Sequence, residues 1–317
     1  MSSFPLLVLG VRRSGTTLVR VMLDRSSQLA VPDESYFIPQ LAHRHRDRPD
    51  RDAFVDDLRR LPTLADWGVS PDLVRQRLRP GATLGEAIAA VFEVYAEQRG
   101  KRRWGDKTPL YMQHLGLLER LFPAARFVHL VRDGRDAAVS FLQMPDGIVT
   151  RSPSTPRSAA DFACQWKLEV EAAQALGRRV GPSRYLQVRY EDLVADAEGQ
   201  LRRICAFADL PYEPAMLAYA GNVDLSEKPH QQSLTRPPTP GLRNWRTEMA
   251  PGDAAAFEAV AGYRLRALGY PVSAAGRPPL AARLRLARYA ALTAAWNAAG
   301  YAFQWSPLWR RSHPLVA

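Results

Sequence analysis

An apolar run, Phe4 to Leu9, leads directly into Gly10-Val11-Arg12-Arg13-Ser14-Gly15-Thr16-Thr17, and an apolar stretch, Leu18 to Leu23, follows it. A buried strand, a glycine-bounded loop and a helix start, in that order, commit the chain to an α/β architecture. Its loop turns backbone N–H groups toward an anion. Gly10 and Gly15 have the spacing of a Walker A loop, but Thr16 stands where that loop carries its lysine. The cation comes earlier, at Arg13. With Ser14, Gly15, Thr16 and Thr17 it offers a guanidinium, hydroxyls and N–H groups to a phosphate or sulfate other than the transferable end of ATP.

The rest of the chain repeats the alternation. A short strand, Arg103 to Lys107, breaks into a loop, with Pro109 placed to open the next helix. Ala125–Val131 reads as a second buried strand turning through Arg132-Asp133-Gly134-Arg135-Asp136 into a helix that ends near Leu142. Arg184–Val188 reads as a third, followed by Tyr190-Glu191-Asp192. Helical spacing runs from Thr83 to Gln98 and from Ser158 to about Leu176. The expected fold is a P-loop-type parallel sheet flanked by helices on both faces. The stretch from His43 to Arg60, dense in Arg and Asp, reads as a solvated helical face. Residues 143–157 and 221–247 read as loops.

A net charge of +11 favours anionic partners: a polyphosphorylated cofactor, nucleic acid or an acidic membrane surface. The charge is almost all arginine. Only Lys101, Lys107, Lys167 and Lys228 are lysines, which makes a lysine inside a motif informative. Cys164 and Cys205 lack metal-ligand spacing and read as buried thiols. The six histidines show no ligand spacing, so no metal is expected. With no basic leader and no apolar stretch of spanning length, the expected location is cytoplasmic.

Residues 1–275 read as one domain and residues 276–317 as a basic, aromatic-rich helical arm. Leu, Tyr and Trp alternate there with Arg283, Arg285, Arg288, Arg310 and Arg311. Such a segment can lie on a membrane surface, dock on the core or join a second subunit as a homodimer.

The segment after the second buried strand separates the functional classes. Arg132 ends that strand and Ser140 lies two turns into the helix beyond it, a pair able to grip a second phosphate. Together the two segments resemble the sulfotransferases that use 3′-phosphoadenosine-5′-phosphosulfate (PAPS) and release adenosine 3′,5′-bisphosphate. The resemblance extends from residue 4 to about residue 270. It implies that Arg13, Ser14, Gly15, Thr16 and Thr17 hold the 5′-phosphosulfate, that Arg132 and Ser140 hold the 3′-phosphate, and that Tyr190 contacts the nucleoside. It also implies that Arg243, Asn244 and Trp245 lie in a basic segment folded over the cofactor.

On the acceptor side the small-phenol and steroid branch places a catalytic histidine after a Lys-Thr pair. Here Lys107-Thr108 is followed by Pro109, so that base is absent. The spacing is instead similar to tyrosylprotein sulfotransferases and their bacterial relatives, in which a glutamate of an acidic pair is the base. Asp33-Glu34 stands in that place, and Glu34 is the matching residue. Partial burial would raise its carboxyl toward neutrality, and Lys107 would neutralise the leaving phosphate oxygen. The implied reaction carries sulfuryl to a hydroxyl, less readily an amine, of a carbohydrate, lipid, peptide or secondary metabolite. A kinase with a degenerate P-loop and a basic module for nucleic acid or membrane remain the alternatives. No nucleic-acid-reading motif is present.

Overall fold

The computed structural model describes residues 4–145, 152, 154–220, 243–273 and 278–305, with side chains to residue 299. Five strands form one sheet: β1 (Leu6–Leu9), β2 (Leu29–Ala30), β3 (Arg103–Asp106), β4 (Arg126–Val131) and β5 (Tyr185–Arg189). Their order is β2-β3-β1-β4-β5, and every pairing is parallel. Leu6 is level with both Gly105 and Arg126, and Val131 is level with Arg189.

The apolar run of β1 is explained by burial on two sides. Leu7 and Leu9 enter a core shared with helices Leu84–Glu97, Ala159–Val180 and Pro251–Ala267. Leu6 and Val8 enter another, built from helices Thr16–Leu23 and Ala197–Phe207. A parallel sheet covered on both faces needs such continuous apolar strands.

The register has a functional consequence. Because all strands run the same way, the segments after β1, β3, β4 and β5 emerge at one edge. Gly10–Thr17, Lys107, Arg132 and Tyr190 each lie within a few residues of a strand end. This is where open α/β sheets bind ligands.

The stretch from His43 to Arg60 is not a uniformly solvated face. It forms parts of helices Phe37–Arg44 and Arg51–Leu58, and Phe54, Val55 and Leu58 are buried. Asp57 accepts from Arg44 at 2.7 Å and lies 3.0 Å from His45 Nε2, so its charges tie the two helices together. Cys164 and Cys205 are buried free thiols.

The arm contributes helix Leu280–Trp305, which lies against helices Ala159–Val180, Phe37–Arg44 and Pro251–Ala267. Ala282 is buried there, Leu286 and Tyr289 are partly buried, and the Tyr289 hydroxyl donates to the Ser154 carbonyl at 2.7 Å. Among the described residues no helix is long and apolar enough to cross a membrane. Residues 306–317, with Arg310 and Arg311, lie outside the description, as do residues 146–151 and 221–242 of the two expected loops.

Candidate active site

The loop after β1 is shaped by two left-handed residues, Arg13 (φ 70°) and Gly15 (φ 87°). Glycine adopts such a φ without cost, whereas arginine requires the surrounding fold to hold it. A Cβ on Gly15 would lie 2.4 Å from the Tyr190 ring, so the loop can close on that ring only with glycine here. At Gly10 a Cβ would meet the Thr16 methyl at 2.6 Å and the Leu130 carbonyl at 2.9 Å. Thr16, at the Walker lysine's position, therefore packs the loop onto itself. Gly15 starts helix Thr16–Leu23 without a side-chain cap, which leaves the first helical N–H groups available to an anion.

The second segment folds against this loop. Arg13 Nε donates to Ser140 Oγ at 3.0 Å, and Arg132 Nη1 donates to the Arg13 carbonyl at 3.1 Å. The Arg132 guanidinium lies over the Tyr190 ring, 4.6 Å from its centroid. Burial lowers the Arg13 pKa, and the neighbouring charges of Arg132 and Arg243 lower it further. Crowded cations of this kind call for an anion. Two buried polar atoms in the cradle, Ser14 Oγ and Arg132 Nε, have no hydrogen-bond partner among the described residues. Unsatisfied buried donors are costly, and phosphate or sulfate oxygens would satisfy them.

Arg135, by contrast, is spent on structure. Its guanidinium is fully buried, pairs with Asp133 at 2.7 Å and Glu258 at 2.6 Å, and stacks 3.8 Å from the Trp245 ring centroid. Trp245 N–H donates to Asp136 Oδ1 at 2.8 Å, fixing the segment that holds Arg243. Asn244 caps the short helix Trp245–Glu248 by accepting from Arg246 N–H at 3.1 Å, and Arg243 pairs with Glu248 at 3.0 Å. The Arg243 charge is felt at Arg13 in the cradle.

Lys107, the first residue beyond β3, is 1 % exposed and lies between the glycine loop and the acidic pair. Its Nζ donates to Thr17 Oγ1 at 3.3 Å and forms a short ion pair with Glu34 Oε1. The Tyr36 hydroxyl donates to Glu34 Oε2. Asp33 goes to a different cation, Arg20, at 3.1 Å. Burial pushes the Glu34 carboxyl up, but Lys107, Tyr36 and Arg12 outweigh it and leave the pKa below the ordinary value. The expected shift toward neutrality is corrected: this carboxylate is held ionised by its partners. Burial lowers the Lys107 pKa, aided by Arg20 and opposed by Glu34.

Two contributors to the site and one further buried acid were missed in the sequence. Tyr36 has an unusual φ of 52° that no sequence pattern announces, although its place two residues after Glu34 was visible. Asp106 is buried beneath the site, where Thr108 Oγ1 donates to it at 3.2 Å. Burial raises its pKa to about 7, against the pull of Ser35, Thr108 and Lys107. Glu169, from helix Ala159–Val180, is buried with its carboxyl also raised to about 7 and feels the charge of Arg12.

Comparison with known proteins finds sulfotransferases by sequence and by fold. Protein-tyrosine sulfotransferase A of Caenorhabditis elegans is 27% identical over 278 residues, covering 85% of this chain and 67% of that protein. Protein-tyrosine sulfotransferase 2 of Gallus gallus is 28% identical over 270 residues, covering 82% and 68%. The Drosophila melanogaster relative is 26% identical, and the match spans 50% of its length. Among solved structures, the sulfotransferase domain of the Synechococcus PCC 7002 olefin synthase shares the fold, with a TM-score of 0.58 and 24% identity over 86% of this chain and 97% of that one. The sulfotransferase family profile itself matches residues 5–214. That match covers more than half of the sequence, and the chain belongs to the sulfotransferase family.

Proposed function

We propose that the chain transfers the sulfuryl group of PAPS to an acceptor hydroxyl, with Glu34 taking the proton. The observation that carries this reading is Lys107, whose ammonium touches Thr17 of the anion cradle and Glu34 together. The cradle and the carboxylate are therefore one site. Residues Arg13–Thr17 and Lys107 would hold the 5′-phosphosulfate, and Arg132 with Ser140 the 3′-phosphate. Tyr190 would lie against the nucleoside, and Arg243 would close over the cofactor with Asn244 and Trp245 as its supports. PAPS supplies an activated sulfuryl group on a phosphate leaving group. Such transfers need an aligned nucleophile and stabilisation of charge on the bridging oxygen.

The chain's own residues meet these needs. Lys107 holds a compact positive charge at the cradle's inner end. Glu34 is ionised, so it can accept a hydroxyl proton, and the Tyr36 hydroxyl orients its second oxygen. Arg13, Lys107 and Arg132 supply the positive charge. The acceptor class to try first is the phenolic hydroxyl of a peptide tyrosine, because the curated relatives are named for it.

Calorimetric titration tests the donor. Adenosine 3′,5′-bisphosphate should bind and raise the melting temperature by mass action. ATP binding as tight as the bisphosphate would favour the kinase alternative instead.

A further inference from the structure

Among the described residues, helix Leu280–Trp305 is covered on one side only. Its inner face carries Ala282, Leu286 and Tyr289 against the core. The outer face, as far as side chains are described, is built solely from leucine, alanine, arginine and tryptophan. Leu280 is 67 % exposed, Leu284 62 % and Trp296 50 %, and Leu292 is also exposed. Exposed leucine and tryptophan on one helix face call for a partner, and among the described residues nothing lies over this half. Scattered exposed leucines need no explanation, but a row along one helix marks an interaction surface.

Charge selects the partner. Arg283, Arg285 and Arg288 are exposed along this helix, Arg285 at the edge beside helix Ala159–Val180, and no Asp or Glu follows Glu258 anywhere in the sequence. Arg285 approaches Asp161 at 3.7 Å, whereas Arg283 and Arg288 have no ion-pair partner among the described residues. A second copy of this chain joined through the same face about a two-fold axis would bring arginines against arginines, and the helix itself has no carboxylate to set between them. An anionic bilayer meets both requirements. Its headgroups take the guanidinium groups, and its acyl boundary takes the leucines and Trp296.

We propose that the outer face of helix Leu280–Trp305 seats the protein on an anionic lipid surface, lying in the interface without crossing it. The inference is independent of the donor and the base, since none of these residues belongs to the anion cradle.

The test is co-sedimentation of the full chain with vesicles of phosphatidylglycerol and phosphatidylcholine, and with vesicles of phosphatidylcholine alone. Binding is expected to the first, weak or absent on the second, and to fall as salt is added. Arg283→Glu with Arg288→Glu should lower the partition coefficient about tenfold or more, and Leu284→Ser with Trp296→Ser should lower it as well. All four positions are exposed, so melting temperature and bisphosphate binding should stay at wild-type values. Failure of the wild type to bind anionic vesicles would overturn the proposal. So would binding indifferent to the arginine reversals, or a concentration-dependent dimer that the same substitutions abolish in the absence of lipid binding.

Discussion

Arg13 and Ser140, 127 positions apart in sequence, are joined by a 3.0 Å hydrogen bond from the arginine Nε to the serine Oγ. The glycine loop after β1 and the helix after β4 are thereby one structural unit. On the proposed function, this unit holds two anionic groups of one ligand at a fixed separation, which a lone glycine loop does not offer.

Arg132 is the direct probe of that second grip. Its Nε is buried without a partner, and Arg132→Ala should weaken adenosine 3′,5′-bisphosphate binding by about 1.5–3 kcal/mol, the scale of a charged hydrogen bond. Adenosine 5′-phosphate, which lacks the 3′ group, should lose much less. Titration of both nucleotides against both proteins gives the comparison, and equal losses would detach Arg132 from the 3′-phosphate.

Glu34→Gln separates chemistry from binding. Turnover should fall by about 10²–10⁴ while bisphosphate affinity stays near wild type. The Glu34 pKa is below its ordinary value in the free protein, so the group is already deprotonated through the neutral range. Its contribution to kcat/KM should therefore be flat from neutral pH down to the ordinary carboxylate range and decline only below it. An acidic limb near neutrality that disappears in Glu34→Gln would contradict this assignment.

Removing one partner of the Lys107–Glu34 pair leaves a largely buried charge alone. Lys107→Met should cost about 3 kcal/mol of stability in the nucleotide-free protein. Lys107→Met combined with Glu34→Gln should recover most of it, since the stranded carboxylate is gone. Denaturant unfolding of the wild type, both single variants and the double variant measures the coupling. Additive losses would mean that the pair does not interact.

Asp106 makes stability depend on pH in a definite direction. Its folded pKa of about 7 lies above the ordinary 3.8, so the folded state binds the proton more tightly across that window. This group's contribution to stability is lost as pH rises from the ordinary value through the folded one. Asp106→Asn has no such titration. Its melting temperature relative to wild type should rise between pH ~5 and ~8, and a constant difference would show that Asp106 is not proton-coupled to folding.

The longer strands and the glycine turn were legible because each depends on local pattern. Leu6–Leu9 and Arg126–Val131 are continuous apolar runs, and Gly10 and Gly15 mark a turn. The ionised state of Glu34 was not legible, because it depends on Lys107 and Tyr36 arriving from separate directions. Burial alone suggested the opposite shift. Nor could sequence divide the arginines. Arg132 and Arg135 stand three residues apart, yet the first has an unpartnered buried nitrogen in the cradle and the second is locked between Asp133 and Glu258. The arm's two faces were hidden for a related reason. Leucine and alanine occur all around the helix, and only the docked core distinguishes Leu286 from Leu284.

The central claim is tested most directly by incubating the protein with sulfur-labelled PAPS and a tyrosine-containing peptide, alongside carbohydrate, lipid and small hydroxyl acceptors. Label should pass to at least one hydroxyl acceptor with matching release of adenosine 3′,5′-bisphosphate, and Glu34→Gln should abolish most of the transfer. Absence of label from every acceptor, together with phosphoryl transfer from ATP to any of them, would contradict the account.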